Sequence, residues 1–176
     1  MYVCKTKKYL PMKTLTIVRH AKSDWGNDTL PDVYRPLNER GYMDALLLSK
    51  QVVKKIEKPD YWLTSPAIRA YSTAIIFANT FKFDAEKIII KQKIYEATIK
   101  NLKQIVSSIP DNYKHVILFG HNPSLTNYFN EISDSYADNI PTCGVLHITS
   151  PAHKWKEFSN TKLQNDFYLY PKEFRQ

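Results

Sequence analysis

Cysteine is scarce in this chain. Cys4 and Cys143 are its only two in 176 residues, one in the expected tail and one far into the domain, which is neither a disulfide framework nor a metal-binding spacing, so both are expected to be free thiols in a reducing compartment. No apolar run approaches the roughly 20 residues that a membrane span requires. The first eleven residues, ending Leu10-Pro11, carry charge without a continuous apolar segment and do not make a secretory signal. A soluble, cytoplasmic, monomeric protein with no membrane partner is the expectation. No internal repeat, low-complexity tract or linker divides the chain, and its length suits one domain with a substantial core. Residues 1–12 are set apart as a basic N-terminal tail and 13–176 as the single domain. Met12 stands just ahead of the first strand, so what precedes it is either a loose tail or sequence upstream of a later start codon.

The net charge is +8, but the basic residues are scattered, as in Lys7-Lys8 and Lys54-Lys55, and form no single run. That pattern reads as a solvated basic surface without a nucleic-acid partner, and it would suit an anionic substrate such as a phosphate.

What the chain does contain is a series of short apolar segments, each stopping at a polar residue of chemical interest. Leu15-Thr16-Ile17-Val18 reads as a buried strand that delivers Arg19 and His20 at its C-terminal end. Lys22 to Arg35 has no periodicity and holds Gly26, Asn27, Asp28, Pro31 and Asp32, a loop long enough to lie over a site. Ala45, Leu48, Val52 and Ile56 recur at helical spacing behind an Asn38 cap, and Gly41 in the first turn hints at a close approach. Tyr61-Trp62-Leu63-Thr64 is a second strand. It runs into a helix with Ser65 as expected N-cap, Pro66 at the first position and Arg69 in the first turn, a corner suited to an anion. Lys87 to Lys91 gives a third strand with Glu96 near its exit. Asn101 to Ile109 gives a short helix, and His115 to Phe119 a fourth strand that leads into Gly120-His121-Asn122-Pro123. Gly144 to Thr149 is a fifth strand, and Lys154 to Phe158 is taken as a sixth, at an edge.

Strands alternating with helices call for a three-layer α/β/α sandwich around a mostly parallel sheet with an antiparallel edge strand. Ligands of such sheets bind beyond the C-terminal ends of the strands. Arg19, His20, Arg69, Glu96 and His121 all fall there. Two arginines and two histidines converging with helix N-termini suit a dianionic phosphoryl group, with a carboxylate nearby to serve as acid or base.

These residues resemble a known family, the histidine phosphatase superfamily, also called phosphoglycerate mutase-like. Its Arg-His-Gly signature is matched by Arg19-His20 with Ala21 in place of Gly. The stretch Arg19-His20-Ala21-Lys22-Ser23-Asp24-Trp25, with Arg35-Pro36-Leu37-Asn38-Glu39-Arg40-Gly41, Thr64-Ser65-Pro66-Ala67-Ile68-Arg69-Ala70 and Gly120-His121-Asn122-Pro123, is most similar to the small SixA-like branch of phosphohistidine phosphatases. The resemblance implies that His20 is the nucleophile, that Arg19, Arg69 and His121 hold the phosphoryl group, and that neither metal nor cofactor is needed. Asn122 and Ser23 join them as candidate substrate contacts. Glu96 is the candidate general acid, since larger relatives carry an acid about here and SixA-like proteins often lack a clear equivalent. Alanine at position 21 counts against the mutases and sugar bisphosphatases, and the lack of insertions that would roof the site favours phosphate displayed on a protein over a small ester.

Other chemistries fit less well. Cys143 is followed by no phosphate loop ending in Arg, as a cysteine-dependent phosphatase would need, and His20, His115, His121, His147 and His153 show no metal-ligand spacing. His115 and His147 read as core or edge residues. A phosphomonoesterase for small esters, or a non-catalytic module that captures phosphoproteins, remain the alternatives, the latter disfavoured because capture needs no nucleophile.

Overall fold

Leu15 and Ile17 point to one side of β1 (Lys13–Arg19), and Thr16 and Val18 to the other, so this strand has two buried faces and can sit only inside a sheet. The computed structural model describes residues 13–160 and 163–175. The tail 1–12 and Cys4 lie outside the described residues.

Helices and strands follow β1 in alternation: α1 (Glu39–Val52), β2 (Tyr61–Thr64), α2 (Ile68–Phe81), β3 (Ile89–Ile90), α3 (Ile99–Ser107), β4 (His115–Gly120), α4 (Ser124–Ile132), β5 (Val145–Ser150) and β6 (Gln164–Leu169). The sheet order is β3-β2-β4-β1-β5-β6. The four strands β3, β2, β4 and β1 are parallel, and antiparallel pairing is confined to β1–β5 and β5–β6 at one edge. Leu15, Ile17, Leu118 and Leu146 pack with α3 and α4 on one face. Val18, Trp62, Phe119 and Val145 pack with α1 and α2 on the other. This is the three-layer α/β/α arrangement expected from the alternation.

Two local expectations shift. The run Lys154 to Phe158 is no strand: Trp155–Glu157 forms a 3₁₀ turn, because burying both Trp155 and Phe158 requires side chains three apart on one side. The sixth strand is Gln164–Leu169 instead, with weaker alternation. Ser65 is not the cap of α2. Ala67 takes that place, while the Ser65 hydroxyl accepts from Ala67 N–H at 3.2 Å and shapes the turn before the helix. Arg69 still falls in the first turn.

Gly41 shows why a glycine is tolerated inside α1. A Cβ there would lie 2.1 Å from the Lys22 carbonyl oxygen, which itself accepts from Asn38 N–H at 3.0 Å. The helix start and the segment after His20 are thus in backbone contact, and Asn38 caps α1 by accepting from Gly41 N–H.

Candidate active site

β1, β2 and β4 are adjacent and parallel, so their C-terminal ends open on one side, and Arg19, His20, Arg69 and His121 meet there. The His20 and His121 rings lie 4.9 Å apart between centroids. His20, Arg69 and His121 are buried, while Arg19 is half-buried.

The hydrogen bonds set the tautomer of each imidazole. His20 Nδ1 lies 2.7 Å from its neighbour's carbonyl, that of Ala21, which can only accept. Nδ1 therefore carries the proton, and the Nε2 lone pair accepts from Arg69 Nε–H at 3.4 Å. His121 is arranged the other way round. The Ser65 hydroxyl accepts from Ala67 N–H, and donating to His121 Nε2, at 2.7 Å, is the assignment that also uses its own proton. That leaves Nδ1–H as the donor of His121, and Nδ1 is buried without a hydrogen-bond partner.

Arg19 is anchored by Nη1 on the Ile140 carbonyl at 2.6 Å, and its buried Nε also has no partner. Buried polar atoms are seldom left unpaired, and two such donors among the four residues that meet at the strand ends suit an oxyanion. Burial, followed by the charges of Arg69 and Arg19, pushes the His20 imidazole down to about 4. Burial and the neighbouring His20 and Arg69 push His121 down to about 3. Both rings are neutral near pH 7. A neutral His121 can therefore still offer an N–H as a donor.

The other candidates sit further out. Asn122 Nδ2 donates to the Ile140 carbonyl at 3.0 Å and to Asn139 Oδ1 at 2.7 Å, which ties down the segment that anchors Arg19. Ser23 bridges to Leu37, and its hydroxyl accepts from Trp25 Nε1 at 3.1 Å. Glu96 is exposed, at a positive φ of 51°, directly after Tyr95. The hydrogen bonds among the described residues do not draw Ser23 or Glu96 into the group of four.

The structure adds two residues that no strand-end pattern singles out, Asp32 and Tyr95, and sets Ser65, expected as a helix cap, against His121. Asp32, in a 3₁₀ turn of the long loop, accepts from Arg69 Nη1 through its backbone oxygen at 2.6 Å and from Arg69 Nη2 through Oδ2 at 2.8 Å. Tyr95 donates its phenol proton to the same Oδ2 at 2.8 Å and sets its ring against His121. Burial works to raise the Asp32 carboxyl pKa, but the bonds from Arg69 and Tyr95 and the nearby positive charges outweigh it and hold the group below the usual range. The aperiodic loop was the one available signal for Asp32.

Among curated protein sequences none matches the chain. Solved structures do. A protein histidine phosphatase SixA complexed with tungstate aligns with a TM-score of 0.78 at 15% identity, over 92% of this chain and 99% of the other. An Agrobacterium tumefaciens protein assigned as the phosphohistidine phosphatase SixA aligns at 0.76 and 21% identity, over 91% and 99%. A mycobacterial glucosyl-3-phosphoglycerate phosphatase with bound VO3 gives 0.68 at 12% identity, over 88% and 98%. These likenesses establish the fold. The model of the histidine phosphatase superfamily (branch 1) matches residues 15–136, the stretch that holds Arg19, His20, Arg69 and His121. By that match, which spans most of the domain, the chain belongs to the histidine phosphatase superfamily.

Proposed function

We propose that the chain is a phosphatase that acts through a phosphohistidine on His20, needs no metal or cofactor, and takes its phosphate from phosphohistidine on a protein. The observation that carries the reading is the His20 imidazole, with Nδ1–H held by the Ala21 carbonyl and the Nε2 lone pair facing Arg69.

A neutral imidazole nitrogen attacks phosphorus, so the Nε2–P bond forms as the bond to the leaving group breaks and its electron pair departs with that group. Water then attacks phosphorus, the Nε2–P bond breaks, and inorganic phosphate is released with the water's surplus proton passing to solvent. Arg19, Arg69 and the Nδ1–H of His121 meet the equatorial oxygens, where the charge spreads in the transition state. Glu96 is the candidate acid for an alkoxide leaving group. Asn122 acts on substrate through the Asn139–Ile140 segment, and Ser23 through the loop beyond His20.

The preference for a protein substrate is supported by the short run between β3 and β4, which builds only α3 and a 3₁₀ turn, Gln92–Ile94, and adds no inserted roof. The SixA names of two structural relatives agree with this choice. Hydrolysis of a phosphohistidine protein, a phosphoserine peptide and para-nitrophenyl phosphate, compared side by side in chelator, tests the reading. Higher kcat/KM on phosphohistidine is expected. A preference for a small ester would move the assignment to phosphomonoesterase, and binding without turnover of any of the three would make the chain a capture module.

A further inference from the structure

Arg69 has two edges with which to meet an anion, the end between Nη1 and Nη2 and the side between Nε and Nη2. Asp32 takes the end, with its backbone oxygen on Nη1 at 2.6 Å and Oδ2 on Nη2 at 2.8 Å. The side edge is what remains, and its Nε lies 3.4 Å from His20 Nε2. Asp32 is itself held. Tyr95 donates to Oδ2 at 2.8 Å, and Oδ1 lies 3.7 Å from Nε of Arg35, whose guanidinium stacks 3.8 Å from the centre of the Trp25 ring.

We propose that Asp32 is a positioning residue for phosphoryl transfer. It occupies the end of the Arg69 guanidinium so that the side edge meets the phosphoryl group on its way to His20. Asp32 does not touch the reacting atoms. It acts through Arg69, and Tyr95 and Arg35 steady it. This inference rests on the reading of His20 as nucleophile. The orientation of a planar guanidinium matters most where its N–H bonds must match oxygens spread in a trigonal plane, in the transition state, and less for a tetrahedral phosphate that can turn to suit its donors. A residue that merely tethered the loop would weaken both alike.

Asp32→Ala and Asp32→Asn separate these cases when three quantities are measured: kcat/KM on para-nitrophenyl phosphate, affinity for vanadate as a five-coordinate mimic, and affinity for inorganic phosphate. Asp32→Ala is expected to lower kcat/KM by about 100-fold, the typical effect of a misplaced catalytic group. Vanadate affinity should fall in step, and phosphate affinity should change much less. Asp32→Asn keeps an oxygen for Nη2 and should show the same split with a smaller loss, which also covers the case in which the alanine variant fails to fold. Equal losses for vanadate and phosphate in the asparagine variant, or wild-type kcat/KM in the alanine variant, would overturn the proposal. Both affinities are read without turnover. Activity retained by His20→Ala would therefore sink the nucleophile reading alone, while the two anions still decide the part played by Asp32.

Discussion

The nucleophilic role proposed for His20 rests on an Nδ1 proton committed to the Ala21 carbonyl and on burial, with Arg69 and Arg19 nearby, that disfavours a second proton. The residue types alone pointed to Arg19, His20, Arg69 and His121, since each follows a strand of a parallel sheet. They did not show which nitrogen of each imidazole carries the proton, because that depends on carbonyl and hydroxyl partners set by the fold. Asp32 was harder still to read. Its partner Arg69 is far away in sequence, and a loop without periodicity gives no sign of which residue will turn inward. Glu96 provides the prediction at this scale. An alkoxide needs a proton as it leaves, whereas the imidazole of phosphohistidine can depart already protonated. Glu96→Gln is therefore expected to lower kcat/KM on alkyl phosphate esters by about 10²- to 10⁴-fold and that on phosphohistidine far less. Equal losses on both would refute the leaving-group argument, and no loss on either would leave Glu96 a surface charge.

Helices α1 and α2 and the central strands were legible because burial on one face leaves a period in the sequence: 3.6 in α1, and near-continuous apolar runs in β1 and β4. The third strand shrank to two residues because Ala85–Lys87 turns as a 3₁₀ helix before it. Two aromatic residues three apart at Trp155 and Phe158 imitate a strand in composition and a turn in spacing, and burial of both rings decided for the turn. At this scale Gly41 is the residue to change. With the Lys22 carbonyl 2.1 Å from where a Cβ would stand, Gly41→Ala forces α1 away from the strap after His20. A loss of about 1–3 kcal/mol is expected. Urea unfolding checks it, and an unchanged midpoint would mean that the strap yields freely.

Among the described residues, three histidines are buried, His20, His121 and His147, and His115 is half-buried; loss of hydration is the main cause that pushes the pKa of His20 and His147 down to about 4 and that of His115 and His121 down to about 3. His115 Nε2 and His147 Nδ1 both lie 2.9 Å from the Thr16 hydroxyl inside the sheet, His147 buried and His115 half-buried, in line with the reading of them as core or edge residues. All four values lie below the ordinary value for an unfolded chain. Between about pH 6.5 and pH 4 the unfolded state thus binds more protons than the folded one, and stability falls as pH falls. Each histidine contributes up to about 1.4 kcal/mol per pH unit in that window. Urea midpoints should drop clearly from pH 7.5 to pH 5, and a flat profile would show that the four rings are solvated in the native state. The proposed chemistry turns on one atom, His20 Nε2. Its most direct test is to react the protein briefly with ³²P-labelled substrate, quench in base and locate the label. The expected result is an acid-labile, base-stable phosphoryl group on His20, absent from His20→Ala, which folds but does not turn over. Label on another residue, or undiminished turnover by His20→Ala, would contradict it.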